Sequence, residues 1–168
     1  WKKQDKDLAQ LQMELIDIWH FLLSEILLRN KGSQEESIKS LLSLLNQDKT
    51  KRSLHFDNQE IEISKCDLIL KLELLIATSV TRRIELSLFE AIMFDCELSW
   101  SDLYCQYVGK NVLNMFRQDN GYKQGTYKKI WNAKEDNEHL VDIINSLDSN
   151  HNNFKDQVYA ALQDAYPS

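Results

Sequence analysis

Apolar side chains recur every three to four residues through most of this chain, the period of helices that bury one face. Over 5–30 the series Leu8, Leu11, Leu15, Ile18, Leu22 and Ile26 marks a first helix, and Asn30-Lys31-Gly32-Ser33 stops it. Ser33 followed by Glu36 has the form of a capping box. It opens a second helix through Ile38, Leu41, Leu42 and Leu45. Residues 47–58 are polar and charged and read as a loop. A third helix is expected over 60–78 on Ile61, Ile63, Leu68, Leu72 and Leu75, although β-branched residues open it. Thr78 or Thr81 would cap a fourth, with Ile84, Leu88, Ala91, Ile92 and Cys96. Ser99 or Ser101 would open a fifth, running through Leu103, Tyr107, Val108, Val112, Leu113 and Phe116 to Arg117. The stretch 118–132 is rich in Gly, Asn, Lys and Tyr and has no helical period. Asn132 or Asp136 starts a sixth helix with Leu140, Ile143, Ile144 and Leu147, and a last one covers 154–166. The pattern predicts an all-α fold, a compact bundle of about six to seven helices. It would form one domain over 1–168, or two tightly merged helical halves.

Composition agrees with long helices. Glycine occurs four times and proline once in 168 residues, so few tight turns are available. No apolar run reaches the roughly 18 residues of a membrane span, and no membrane partner is expected. The formal charge of −6 argues against nucleic acid as a general partner, which needs a basic surface. Cys66, Cys96 and Cys105 form no C-x-x-C pair and read as buried thiols of a reducing, cytoplasmic compartment. The chain opens on Trp1-Lys2-Lys3, which is neither a signal peptide nor a transit sequence and suggests the remainder of something longer.

Charge changes the picture at two places. On the first helix Gln10, Glu14, Asp17, Phe21 and Ser24 fall within an arc of about 80°, with His20 at its edge. The rest of the circumference is largely apolar, so this stripe is expected to face a cavity. Glu14 and Asp17 lie one turn apart on one side, within about 6 Å. Their mutual repulsion would be relieved by a hard cation such as Mg²⁺, which takes oxygen ligands. The same spacing is common on solvated helix faces paired to lysines, and the pattern alone does not choose between the two.

The second place is basic. Lys110, Asn114 and Arg117 share one face of the fifth helix, and Tyr122, Lys123, Lys128, Lys129 and Lys134 follow. Between Lys110 and Lys134 the only acid is Asp119. Such a reversal of sign concentrates positive potential on a small patch. An arginine there grips a phosphate with two prongs, while lysines act as point charges. A lysine-rich loop that binds nothing, or one that binds RNA, has the same composition. A compact triphosphate fits a patch of this size on an acidic protein better.

Two blocks carry a resemblance. Glu14-Leu15-Ile16-Asp17-Ile18-Trp19-His20-Phe21 resembles the E-x-x-D-I-W-H-F segment of the dimeric, all-α dUTPases. Gly109-Lys110-Asn111-Val112-Leu113-Asn114-Met115-Phe116-Arg117-Gln118-Asp119-Asn120-Gly121-Tyr122-Lys123 is similar to their G-K-N-x-L-N-x-F-R-Q-x-N-G-Y-K block. It continues through Gly125-Thr126-Tyr127-Lys128-Lys129 and Trp131 to Asn137. The likeness is close over 10–24 and 107–137 and weak over 31–97. The acidic helix alone would indicate only the wider MazG-like all-α NTP pyrophosphatase superfamily. Ala133 departs from the family, which usually has glycine there.

The resemblance implies a Mg²⁺-dependent dUTP diphosphatase, a hydrolase converting dUTP and also dUDP to dUMP. The family acts as a homodimer whose subunits both line each pocket. Glu14 and Asp17 would be the catalytic metal ligands. Lys110, Arg117, Tyr122, Lys123 and Lys129 would contact phosphates. Asn114, with His20 and Phe21, would hold the deoxyuridine, with Asn137 and then Trp1 as weaker members of that pocket. The family's preceding helix supplies an E-x-x-E pair to the metal, and nothing upstream of Glu14 does so here. This polypeptide alone is therefore expected to be inactive or nearly so. The alternatives are a related pyrophosphatase for dCTP or another nucleotide, and a helical module that has lost the first carboxylate pair and with it catalysis.

Overall fold

A computed structural model describes residues 7–48 and 53–167; Trp1 lies outside the described residues. These form seven α-helices and two short hairpins. They fall into two compact units, 1–99 and 100–168.

In the first unit α1 is Leu8–Arg29 and α2 is Gln34–Asp48. Asp7 caps α1, its carboxylate accepting from the Gln10 N–H at 3.0 Å. Half of the expected capping box opens α2: the Glu36 N–H donates to Ser33 Oγ, at 3.4 Å. The chain departs from the sequence expectation after α2. The predicted loop over 47–58 contains the end of α2 and then strand β1, Ser53–Phe56. The predicted third helix begins instead as strand β2, Gln59–Glu62, followed by a 3₁₀ turn at Ile63–Lys65; α3 proper is Leu68–Val80. Two features explain the difference. Asp57 and Asn58 both adopt positive φ (49° and 57°), the two-residue turn that suits a twisted hairpin. Leu54 then turns into the core opposite Ile61, a period of two that the helical template reads as noise.

α4 is Leu86–Asp95, with Glu85 at its N-cap, so neither Thr78 nor Thr81 caps it. Thr78 is a buried residue of α3 whose hydroxyl donates to the Leu74 carbonyl at 2.9 Å. α1, α3 and α4 end alike, with Lys31, Arg82 and Glu97 in the left-handed region (φ 52°, 58°, 54°). The following N–H returns to a carbonyl of the last turn in each: Gly32 to Leu27, Arg83 to Thr78, Leu98 to Met93. A chain poor in glycine thus uses ordinary residues at these stops, at about 1–2 kcal/mol each. Leu15, Ile16, Trp19, Leu88, Phe89, Ile92 and Met93 are among the buried residues, and Trp19 stacks on Phe89 with centroids 5.6 Å apart. Lys71 of α3 is buried and paired to Asp95 at 2.7 Å. Cys66 and Cys96 are buried thiols and Cys105 is half-buried.

The second unit packs α5 (Trp100–Asp119), α6 (Asp136–Ser146) and α7 (Phe154–Ala165) against one another. Val112, Leu113, Phe116, Trp131, Leu140, Phe154, Val158 and Leu162 form its core. Gly109 lets α5 approach α6, since a methyl there would run into Ile144. A second two-residue hairpin joins β3 (Ile130–Trp131) to β4 (Lys134–Glu135), with Asn132 and Ala133 at φ 48° and 65°. Alanine at that second position carries the steric penalty that glycine avoids. Ala133→Gly is expected to stabilise the protein by about 1 kcal/mol; an unchanged or lower urea midpoint would show that the strain is relieved elsewhere.

Candidate functional site

The acidic stripe lies in the first unit. The buried residues of α1 are Leu15, Ile16, Trp19 and Ile26, which leaves Gln10, Glu14, His20 and Phe21 exposed and Asp17 and Ser24 half-buried. Phe21 is 70% exposed, a position for an aromatic ring that solvent alone does not favour. With Ser24 it lines a groove of about 740 Å³ between α1, the end of α3 and the segment 82–85; neither Glu14 nor Asp17 is among the lining residues. Gln10 Nε2 donates to Glu14 at 2.6 Å. The carboxyl oxygens of Glu14 and Asp17 are the hard donors that Mg²⁺ takes, and two carboxylates are an ordinary protein share of its shell. Among the described residues no three of His, Cys, Asp and Glu gather at one point.

The basic stretch lies in the second unit and is more elaborately built. α5 continues in register to Arg117, and its last turn closes through Gly121 (φ 87°), where a side chain would collide with Thr126. The Tyr122 N–H donates to the Arg117 carbonyl at 2.9 Å, tying the loop to the helix end. Around Phe116, Tyr127, Trp131, Tyr159 and Tyr166 pack edge-on with centroids 5.3–6.4 Å away. Tyr127 stacks on Tyr166, and the Lys129 carbonyl accepts from the Asp136 N–H at 2.9 Å. These contacts bring the loop back over α5 and set the first turn of α6 beside Arg117.

There the Asp136 carboxylate meets the Arg117 guanidinium. Nε donates to Oδ2 at 2.7 Å and Nη2 to Oδ1 at 2.8 Å, a two-pronged pair with Asp136 fully buried and Arg117 mostly so. The Tyr127 hydroxyl donates to Oδ2 at 3.0 Å. Nη1 reaches Asn114 Oδ1 and Nη2 reaches Asn137 Oδ1, each at 3.3 Å. Burial alone would raise the Asp136 pKa, but the donors of Arg117 and Tyr127 outweigh it and hold the carboxyl below its ordinary range. The hydrogen bond to Asp136 raises Arg117 further, and burial followed by the same carboxylate pushes the Tyr127 phenol well up.

Of the residues singled out in the basic stretch, Asn114, Arg117 and Asn137 are thus brought together. Tyr122 is exposed and lies edge-on to Tyr127, centroids 6.0 Å apart. Lys123 is exposed, Lys110 is half-buried on α5, and Lys129 pairs with Glu135 at 3.1 Å. The Nε–Nη2 edge of Arg117 faces Asp136. Asp136 and Tyr127 are the site members that sequence reading passed over. Asp136 reads only as a helix start, one of the acids Glu135, Asp136 and Glu138 that follow Lys134, and nothing in its spacing singles it out.

A family model described as dUTPase matches residues 1–122, which include both the acidic stripe and the face of α5 with Lys110, Asn114 and Arg117. The chain belongs to the all-α dUTPase family. It is accordingly a nucleotide hydrolase of the dUTP diphosphatase type. The match ends at Tyr122, so for this dUTPase the likeness of Lys123, Lys129 and Asn137 rests on the block of residues quoted above. No curated protein matches the chain. Among the described residues no helix is long and apolar enough to cross a membrane.

Proposed function

We propose that this dUTPase hydrolyses dUTP, and also dUDP, to dUMP with Mg²⁺ as cofactor, acting in the cytoplasm as a homodimer. The observation that carries the reading is the grouping of Asn114, Arg117 and Asn137 beside a stretch, from Lys110 to Lys134, where an acidic chain turns basic. Glu14 and Asp17 would hold the metal, which supplies a nucleophilic hydroxide and neutralises charge on the phosphate chain. The other roles belong to the protein. The outer N–H of Arg117 and the ammonium groups of Lys110, Lys123 and Lys129 attract and orient the polyphosphate, with the Tyr122 hydroxyl donating beside them. Asn114 holds the base, with His20 and Asn137 as further polar contacts. Phe21 packs on the deoxyribose, where a 2′-hydroxyl would lose its water.

The test is a substrate panel on the full-length protein with and without Mg²⁺, following release of pyrophosphate or phosphate from dUTP, dUDP, dCTP and dTTP. Turnover of dUTP and dUDP that requires the metal is the expected result. Equal turnover of dCTP or dTTP would replace the uracil assignment with a broader pyrophosphatase. No turnover of any nucleotide by a protein that also fails to bind them would leave a helical interaction module.

A further inference from the structure

The geometry points to Asp136 as a positioning residue: through Arg117 it sets Asn114 and Asn137 so that together they present only hydrogen-bond donors to a ligand. The inference rests on the reading of Arg117 and its neighbours as the nucleotide site.

Asp136 cannot meet a ligand itself, because it is fully buried and both carboxylate oxygens already accept, Oδ1 from Arg117 and Oδ2 from Arg117 and Tyr127. Its effect must pass through the guanidinium. An arginine offers five N–H donors and no acceptor. Two of them bind Asp136 and one each binds Asn114 and Asn137, which leaves one N–H on Nη1. Because the guanidinium only donates, the amide atom facing it must be oxygen at both asparagines, and both amide NH₂ groups then point away. A buried anion thereby fixes the sense of two exposed side chains, each of which would otherwise turn over freely and offer oxygen or nitrogen alike.

A face built from one guanidinium N–H and two NH₂ groups selects acceptors. Two parts of the substrate have that character, the phosphate oxygens and the uracil carbonyls; cytosine differs by presenting an amino donor where uracil has O4. Replacing Asp136 by Asn turns one of the two inward oxygens into an NH₂ that opposes the guanidinium. Arg117 loses its fixed plane, and the two amides lose their fixed sense with it.

The experiment is a double-mutant cycle of Asp136→Asn and Arg117→Ala, read as the Kd of the non-hydrolysable α,β-imido analogue of dUTP. Each single substitution is expected to weaken binding by about 10–100-fold, and Asp136→Asn in the Arg117→Ala background by less than about 3-fold. Competition with deoxyuridine and with the dCTP analogue separates the two acceptors. A loss confined to the triphosphate, with the nucleoside unaffected, places the donor face on phosphate. A narrowed preference for dUTP over dCTP places it on the base. Additive losses, or near-parental affinity in a folded Asp136→Asn protein, would overturn the inference alone. An undiminished affinity in Arg117→Ala would remove the nucleotide-site reading along with it. Should Asp136→Asn fail to fold, Asn114→Asp decides, since it lies on an exposed residue and keeps the inward oxygen while making the outward atom an acceptor. It is expected to weaken the analogue by about 100-fold; unchanged affinity would show that no donor is needed there.

Discussion

Glu14→Gln and Asp17→Asn will each abolish Mg²⁺-dependent hydrolysis of dUTP while leaving the helices in place. A carboxylate that holds a catalytic cation takes several kcal/mol of transition-state stabilisation with it when neutralised, so a fall of about 10³-fold or more in kcat is expected. Folding is spared for a local reason. Glu14 is exposed and its carboxylate accepts from Gln10 on the same helix, and Asp17 is half-buried outside the row of Leu15, Ile16, Trp19 and Ile26 that enters the core. Removing both charges should be little worse than removing either, because the two act on one cation. Pyrophosphate release against Mg²⁺ concentration, with far-ultraviolet circular dichroism on the same samples, checks the prediction. Turnover within about tenfold of the parent in either variant would place the metal elsewhere.

The largest effect on stability is expected at Phe116. Its ring is 1% exposed and touches Tyr127, Trp131, Tyr159 and Tyr166 edge-on. Phe116→Ala leaves a cavity among rigid aromatic neighbours that have little freedom to collapse into it, at a cost of about 3–5 kcal/mol. That is a large part of the 5–15 kcal/mol typical of a folded domain. The consequence reaches the site, because the same rings hold the loop that brings Tyr127 and Asp136 to Arg117. The urea midpoint should therefore fall sharply, and nucleotide affinity should fall with it even where the protein remains folded. A loss below about 1 kcal/mol would mean that the cluster repacks, and that the loop is held by its backbone bonds, such as Asp136 to Lys129, and not by the rings.

Much of this molecule was legible without coordinates. The three-to-four-residue spacing placed all seven helices, five of them to within a few residues at both ends, because burial of one helical face leaves its period directly in the sequence. The two blocks that carry the family likeness were equally plain, and the family match covers the first block and the second as far as Tyr122. The misplaced segment, 47–67, failed where two structural periods overlap. Leu54 falls in the expected loop and Ile61 and Ile63 were counted into the third helix, and only the Asp57-Asn58 turn marks the hairpin.

What sequence could not contain is the company each side chain keeps. Arg117 and Asp136 are separated by a loop, and no spacing rule relates them; the aromatic cluster folds that loop back and seals the carboxylate beneath the guanidinium. Residue type and period determined which groups are available and on which helical face, since both depend on local backbone geometry. Which edge of Arg117 is occupied was decided by long-range packing, because only the folded-back loop brings the buried carboxylate of Asp136 on α6 against a guanidinium on α5.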